Sequence, residues 1–287
     1  MEIYRVRINR VDDLGDLVRV YYFDKPAGFD WDEGAHVHLG LPGFDAGEKR
    51  DKTLVRHMSI LTLVEEDTVG VITRLDSSDS RYKLMITDMK PGDEASLFKT
   101  GSALRLKRDG RPVVILTMGV AVGAMRPLAI SYANNPEGIP EMTAITVNRR
   151  DTYPFKEELE ALEAPRLTLH HVKSRAAFQH ALLGLILDNK PWFLIIGSND
   201  FLRDCIYGLR DRGISPDDMV VDLKPEKRAA NRSTEMVLAT EAERIRAQIP
   251  RQALTIALDE RGEQLTTRAL SERLSLWSRE APCATFL

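Results

Sequence analysis

The first third of the chain alternates between apolar and polar positions over short stretches. Residues 2–9 place Ile3, Val6 and Ile8 among polar neighbours, which is the pattern of a strand with one buried face. Further strands of this kind, separated by Gly and Pro, are predicted at residues 17–23, 35–41, 55–63, 68–75 and 95–98. Hardly any helix is indicated between them. These short strands predict an antiparallel β-barrel over residues 1–109, because closing the sheet removes its exposed edges.

The pattern changes at Gly110. Residues 113–118 form a continuous apolar run, as expected of a strand that is buried on both faces. Similar strands and intervening helices are predicted at residues 143–147, 155–162, 167–172, 178–187, 192–196, 201–212 and 219–221. Asn199 is a candidate cap for the last of these helices. The alternation predicts a parallel, doubly wound sheet over residues 110–223. Residues 224–287 do not belong to this scheme and are expected to form a small α/β tail.

Composition and charge narrow the class of protein. A chain of 287 residues is long enough for two domains and an appendage. The net charge of −3 offers no field that would attract nucleic acid or an anionic membrane. Two widely spaced cysteines, Cys205 and Cys283, indicate a reducing, cytoplasmic setting. No run approaches the roughly 18 apolar residues that span a bilayer, and the first residues lack the apolar core of a signal peptide.

Three short motifs carry the candidate chemistry. Residues 56–60 read Arg-His-Met-Ser-Ile, and the arginine offers a donor fork that suits a phosphate. Residues 119–123 read Gly-Val-Ala-Val-Gly between a strand and a helix, where backbone N–H groups can face an anion. Residues 197–201 read Gly-Ser-Asn-Asp-Phe after a buried strand, so that a ligand can approach the backbone. Each motif also has a purely structural explanation: a surface arginine, a tight turn and a helix cap.

In this order the motifs resemble those of the ferredoxin–NADP reductase family, over residues 1–223. The resemblance implies that the barrel binds FAD, with FMN less favoured, and that the α/β domain binds NADPH or NADH. It assigns Arg56 to the flavin phosphate, Met58 and Ser59 to the isoalloxazine face and its N5 edge, and Ser80 to the pyrophosphate. Ser59 is the expected catalytic contact. The cofactor-binding residues implied in the barrel are Arg56, His57, Met58, Ser59, Ile72, Thr73, Arg74 and Ser80. Those implied in the α/β domain are Gly119, Val120, Ala121, Met125, Asn148, Arg149, Arg150, Gly197, Ser198, Asn199 and Phe201.

The chain departs from the family pattern at several places, and one of them is the lack, after Val221, of the aromatic residue that often ends the family. Met58 replaces a tyrosine, which removes aromatic stacking but leaves a thioether that can pack on a ring. Ala121 replaces the second glycine of the dinucleotide turn, and its Cβ would crowd a pyrophosphate. Ile196-Gly197-Ser198 stands where the family has Cys-Gly-Pro. Arg149 and Arg150 could pair with a 2′-phosphate and so favour NADPH, although a solvated basic turn explains them nearly as well.

Residues 225–287 resemble an internal piece of a different family, the ribosomal large-subunit pseudouridine methyltransferases. The resemblance rests on residues 228–249, on the step Leu258-Asp259-Glu260-Arg261-Gly262 and on a helix at residues 270–277. In that family the S-adenosylmethionine site and the RNA-facing segment follow this piece. We therefore expect a truncated, methyltransferase-like tail that does not methylate.

Together these patterns indicate a flavin-dependent oxidoreductase. It would pass a hydride between NAD(P)H and bound FAD, and then electrons to an unidentified acceptor, such as a small ferredoxin or flavodoxin carrier. An internal iron–sulfur cluster is not expected, because two cysteines cannot supply four ligands. His36 and His38 share a strand face, but no third ligand is evident, and no metal site is expected. Two alternatives stay open: a non-catalytic flavin-binding or fusion protein, and a reductase with an RNA-associated methyltransferase-like tail.

Overall fold

The computed structural model describes residues 2–77, 79–102, 104–150, 153–185, 187, 189–221, 253–256, 264–280 and 283–286. The chain divides into two compact units, Met1–Lys224 and Pro225–Leu287. The first unit contains an antiparallel β domain followed by an α/β domain. Among the described residues, no helix is both long and apolar enough to cross a membrane.

Six strands make up the β domain: β1 (Tyr4–Asp13), β2 (Val18–Asp24), β3 (Ala35–Gly40), β4 (Val55–Ser59), β5 (Thr68–Arg74) and β6 (Glu94–Ser102). They pair antiparallel in the order β4-β3-β6-β1-β2-β5. Apolar side chains from all of these strands share one core, in which Tyr21, Val37 and Leu97 are fully buried. The antiparallel barrel predicted from the alternation is confirmed.

One element of the barrel departs from the prediction of a nearly helix-free domain. Helix α1 (Arg81–Asp88) follows β5 and buries Tyr82 and Ile86 in the barrel core. Ser80 caps this helix, since its Oγ accepts a hydrogen bond from the backbone N–H of Lys83 at 3.4 Å. The helix lies in the connection between β5 and β6, and its buried side chains complete the barrel core.

The α/β domain has five parallel strands: β7 (Val113–Met118), β8 (Met142–Val147), β9 (Leu167–Val172), β10 (Trp192–Ile196) and β11 (Met219–Val221). Its helices are α2 (Val122–Asn134), α3 (Lys156–Glu160), α4 (Arg175–Leu183) and α5 (Asn199–Arg210). The strand order is β11-β10-β7-β8-β9, so the chain moves from β7 first to one side and later to the other. Two apolar clusters cover the two faces of this sheet. The predicted doubly wound sheet is confirmed.

The barrel and the α/β domain pack directly on each other. Leu61 and Ile72 of the barrel are buried in a cluster that includes Val120 and Phe155 of the α/β domain. Gly123, at the start of α2, permits this contact, because a Cβ atom there would lie 2.3 Å from Cγ2 of Ile72. Helix α2 therefore lies closer to β5 than it could if residue 123 had a side chain.

The second unit contains a small parallel sheet. Strands β12 (Ala253–Ile256) and β13 (Cys283–Phe286) pair in parallel, and helix α6 (Thr267–Glu280) lies between them in sequence. A parallel pair connected through a helix is a crossover unit, as expected of a small α/β tail. The predicted features at residues 228–249 and 258–262 lie outside the described residues.

Candidate functional site

Strand β4 lies at an edge of the barrel sheet. Because successive side chains of a strand point to opposite faces, Arg56 and Met58 share one face, and His57 and Ser59 share the other. Met58 packs against the barrel core, and the Arg56 guanidinium lies 4.8 Å from the centre of the Tyr82 ring. The motif thus presents a cation and a thioether on one face, and a hydroxyl and an imidazole on the other.

The face that carries His57 and Ser59 continues as a row of imidazoles on β3. Ser59 pairs with His36, and His57 pairs with His38. The ring centres of His36 and His57 are 4.0 Å apart, and those of His38 and His57 are 5.5 Å apart. The three imidazoles therefore pack against one another. Burial lowers the pKa of His38. In the part of the chain that the structure describes, no three metal-binding side chains are arranged to hold an ion.

Arg56 and Arg81 both bind the turn that precedes β4. Arg81 donates a hydrogen bond to the Asp51 carboxylate at 2.7 Å, and Arg56 donates to the carbonyl oxygen of Thr53 at 3.3 Å. Asp51 also accepts a hydrogen bond from the Thr53 N–H at 2.8 Å. Hydrogen bonds from Thr53, together with the nearby Arg81 charge, lower the pKa of Asp51. Two guanidinium groups therefore lie where β4 and α1 begin, near the positive end of that helix.

The end of β5 connects α1 to the α/β domain. Lys83 donates to Thr73 Oγ1 and to the carbonyl oxygen of Arg74, the latter at 2.5 Å. Ile72 packs in the interdomain cluster. The Arg74 side chain reaches the turn after β7, because a Cβ on Gly119 would lie 3.8 Å from Arg74 Nη2. These three strand residues therefore lie between the barrel helix and the dinucleotide turn.

The chemistry around the start of α1 fits a phosphate-bearing cofactor. Arg56, Arg81 and Lys83 supply cations there, beside the N–H groups of the first helical turn. Tyr82, beneath Arg56, is fully buried, and burial raises the pKa of its phenol. Its hydroxyl has no hydrogen-bond partner among the described residues. Because buried polar groups are almost always paired, this hydroxyl favours an additional polar group at this place.

The topological switch point of the parallel sheet lies between β7 and β10. Gly119 follows β7 with a φ of +58°, and Gly197 follows β10. Ser198 Oγ lies 3.8 Å from Met118 Sδ and donates to it, which joins the two strand ends. Ligands of open α/β sheets bind in the crevice outside the carboxyl ends of the strands at such a point. Since Arg74 reaches Gly119, this crevice begins beside the end of β5.

The helix after β10 is capped by Ser198, and the prediction of Asn199 as its cap is wrong. Ser198 Oγ accepts a hydrogen bond from the Phe201 N–H at 3.3 Å, and Asn199 is the first helical residue. Phe201 is 5% exposed and packs in the core. Gly197 is required at this place, because a Cβ would lie 2.6 Å from Cδ1 of Phe201. Gly197 and Ser198 thus border the crevice, while Phe201 supports them from the core.

The side chains that follow Gly119 point into packed regions. Val120 packs in the interdomain cluster, Ala121 packs against the α/β core, and Met125 is fully buried. These side chains hold the turn in place between the two cores.

The two arginines of the turn after β8, Arg149 and Arg150, have different surroundings. Arg150 donates to the Asp76 carboxylate at 2.8 Å and to the carbonyl oxygen of Asp16 at 3.1 Å, so it binds the barrel. Asn148 is buried, and its Oδ1 accepts a hydrogen bond from the Arg150 N–H at 3.3 Å. Arg149 is exposed. Arg149 is therefore accessible to a ligand, whereas the Arg150 guanidinium is engaged by the barrel.

Arg126 is an important residue that the sequence interpretation missed. It lies in α2 and is 8% exposed, and it forms hydrogen bonds with Leu61, Glu66 and Glu158. Burial alone would lower its pKa, but the bonds to Glu158 and Glu66 raise the pKa above its ordinary value. The available signal was a single charged residue within the otherwise uncharged residues 120–132.

Solved structures similar to this chain over about three quarters of its length include reductases. A ferredoxin NADP+ reductase from Neisseria gonorrhoeae with bound FAD and NADP matches with a TM-score of 0.67 and 15% identity, over 77% of this chain and 98% of that one. The cytochrome b5 reductase domain of Ulva prolifera nitrate reductase matches with a TM-score of 0.63 and 12% identity, over 77% of this chain and 97% of that one. At these identities the likeness shows the fold.

The C-terminal end of the chain is similar to a different group of proteins from the first unit, the methyltransferases. The family described as predicted SPOUT methyltransferase matches residues 212–287. Ribosomal RNA large subunit methyltransferase H of Paraburkholderia phymatum is 42% identical over 66 residues, which are 23% of this chain and 42% of that protein. The Bordetella petrii protein of the same name is 47% identical over 66 residues. The chain thus spans about 42% of the length of these relatives.

Both resemblances found in the sequence are confirmed: the chain is similar in fold to ferredoxin–NADP reductases over its first unit, and similar in sequence to predicted SPOUT methyltransferases at its C-terminal end.

Proposed function

We propose that the first unit is an FAD-dependent NAD(P)H oxidoreductase of the ferredoxin–NADP reductase type. The observation that carries this proposal is the meeting of the two candidate sites. Arg74, at the end of the flavin-lining strand β5, reaches Gly119 at the switch point of the dinucleotide sheet. Two ligands held at these places would lie next to each other, which is what direct transfer between them requires.

The barrel residues would bind and orient the flavin. Arg56 and Ser80, with the first N–H groups of α1, would hold its phosphates. The Met58 thioether would pack on the ring face, and Ser59 would contact the N5 edge as the catalytic residue. Ile72 excludes water from the domain boundary, since it is only 8% exposed.

The α/β domain would bind the pyridine nucleotide in the crevice. The glycines Gly119 and Gly197 let a ligand approach the backbone closely, and Ser198 offers a hydroxyl at the same edge. Arg149, which is exposed, would pair with a 2′-phosphate, and this pairing would favour NADPH over NADH. Bound FAD would supply the redox chemistry, because it accepts a hydride from NAD(P)H and releases electrons to an acceptor. The acceptor would be a separate molecule, such as a ferredoxin or flavodoxin.

A second candidate function belongs to the tail. Its match to the SPOUT methyltransferase description and to relatives named for ribosomal RNA favours an RNA-associated segment attached to the reductase. Binding to ribosomal RNA fragments that weakens steeply with salt would support this candidate. Equal binding by a chain that ends at Lys224 would contradict it.

The first experiment is the visible absorption spectrum of the purified protein before and after anaerobic addition of NADPH, and separately of NADH. A flavin band that bleaches supports the oxidoreductase. Arg56→Ala should lose flavin, whereas Arg7→Ala, in an exposed ion pair with Glu94, should retain it. A band that survives both nucleotides would leave a flavin-binding protein only, and no flavin after reconstitution with FAD and FMN would refute the proposal.

A further inference from the structure

Arg126 uses every N–H group of its guanidinium in a hydrogen bond. Nε and Nη2 donate to the Glu158 carboxylate, the first at 2.8 Å. Nη1 and Nη2 donate to the two oxygens of Glu66, both at 2.9 Å, and Nη1 also donates to the carbonyl oxygen of Leu61 at 2.9 Å. A guanidinium has five N–H donors in a rigid plane, so this arrangement fixes both its position and its direction.

These hydrogen bonds cross the boundary between the domains. Arg126 belongs to α2 and Glu158 to α3, whereas Leu61 and Glu66 belong to the segment between β4 and β5. Glu66 is itself held in place, because its carboxylate accepts a hydrogen bond from the Leu63 N–H at 2.6 Å. The barrel therefore presents a fixed acceptor set to a side chain of the α/β domain.

The same face of α2 contacts the barrel one turn earlier. Gly123 precedes Arg126 by three residues, and residues at this spacing share a helix face. The Gly123 backbone packs on Ile72 so closely that a Cβ would lie 2.3 Å from Cγ2 of Ile72. Two anchors thus hold the start of α2, and with it the turn at Gly119, against the end of β5.

We propose that Arg126 is a positioning residue for transfer between the two cofactors, because its bonds to Leu61 and Glu66 set the distance from the dinucleotide turn to the end of β5. This inference rests on the proposed function. A displacement of about 1 Å between reacting groups can cost roughly a hundredfold in rate. A bond network at the domain boundary can therefore control the rate without contacting either cofactor.

The test compares three variants of the full chain. Arg126→Lys removes the planar fork, and Glu66→Gln weakens the bonds to the barrel. Glu158→Gln is the matched control, since Glu158 binds the same guanidinium from the α/β side. We expect the limiting rate of flavin reduction at saturating NADPH, in anaerobic stopped flow, to fall roughly tenfold or more for the first two variants. Both variants should retain the flavin content and the nucleotide affinity of the unmodified protein. The limiting rate of Glu158→Gln should stay closer to that of the unmodified protein.

A second measurement does not depend on activity. In the flavin-free protein, amide hydrogen exchange at residues 61–66 and 119–126 should accelerate in Arg126→Lys, because loss of the network loosens both sides of the boundary. Exchange that stays unchanged overturns the proposal. An unchanged limiting rate in both Arg126→Lys and Glu66→Gln also overturns it, and so does a nucleotide affinity that falls in step with the rate. If the unmodified protein is never reduced, the proposed function fails, and hydrogen exchange still decides whether Arg126 fixes the boundary.

Discussion

Gly123 lies where helix α2 crosses strand β5, and its lack of a side chain determines how closely they approach. A Cβ there would lie 2.3 Å from Cγ2 of Ile72. Gly123→Ala should therefore force the two elements apart and destabilise the fold by about 1–3 kcal/mol, the usual cost of overpacking. Urea unfolding of the variant and of the unmodified protein measures this difference.

The matched control is Gly208→Ala, in the last turn of helix α5. A Cβ on Gly208 would meet nothing within 4 Å, so the better helix propensity of alanine should stabilise the protein by up to about 1 kcal/mol. Opposite signs for the two variants are the expected result. A neutral Gly123→Ala would show that α2 can move away from β5 without cost.

Two histidines make stability depend on pH. Burial is the main cause that lowers the pKa of both His38 and His171 from the ordinary 6.5. Below that value the unfolded chain binds protons that the folded chain refuses, so stability should be lost as the pH falls below about 6.5. The double variant His38→Gln, His171→Gln should flatten this part of the stability profile.

The contacts of two arginines, Arg150 and Arg126, could not be predicted from the sequence. Arg150 was a candidate to pair with a 2′-phosphate, with a solvated basic turn as a nearly equal alternative, and its guanidinium binds the Asp76 carboxylate and the Asp16 carbonyl oxygen. Arg126 was missed altogether. The partners of Arg150, and Leu61 and Glu66 among the partners of Arg126, lie in the barrel, more than fifty residues away in sequence. Periodicity and motif spacing report on local structure, so a contact between domains leaves no trace in them.

Helix α5 allows a direct test at the scale of an element. Ser198→Ala should cost about 1 kcal/mol of stability, because it removes the acceptor that caps the helix. Asn199→Ala should cost much less, since Asn199 is already the first helical residue. Urea unfolding without nucleotide separates this effect from any role in binding. A larger loss for Asn199→Ala would contradict the assignment of the cap.

Elements with a strong pattern were predicted well, and those that depend on packing were not. All six barrel strands and all five parallel strands were found from alternation and from apolar runs. Helix α1 was missed because it has only eight residues, and its first turn carries Arg81 and Lys83 among apolar positions. Its helical state depends on burying Tyr82 and Ile86 in a core that six distant strands create. Local propensity is too weak to determine so short a helix.

At the scale of the whole molecule, the order of the two domains along the chain predicted more about the site than any single motif did. A barrel followed by a doubly wound sheet predicts that two ligands meet at the domain boundary, and the structure brings Arg74 to Gly119 at that boundary. The sequence could not show how closely the domains pack, because Gly123 and Arg126 act through residues of the barrel. The chain divides into Met1–Lys224 and Pro225–Leu287, and the match to the methyltransferase family begins at residue 212, inside the first of these units.

This division leads to a prediction for the whole chain. Every candidate cofactor residue lies in the first unit, which has its own cores and is compact by itself. A chain that ends at Lys224 should therefore match the full chain in flavin bound per protein and in the limiting rate of reduction by NADPH. A chain that ends at Ser215 is the matched control, because it also removes strand β11, which pairs with β10 beside the switch point. The shorter chain should lose stability and nucleotide binding. Loss of flavin in the longer chain would show that residues 225–287 contribute to the site.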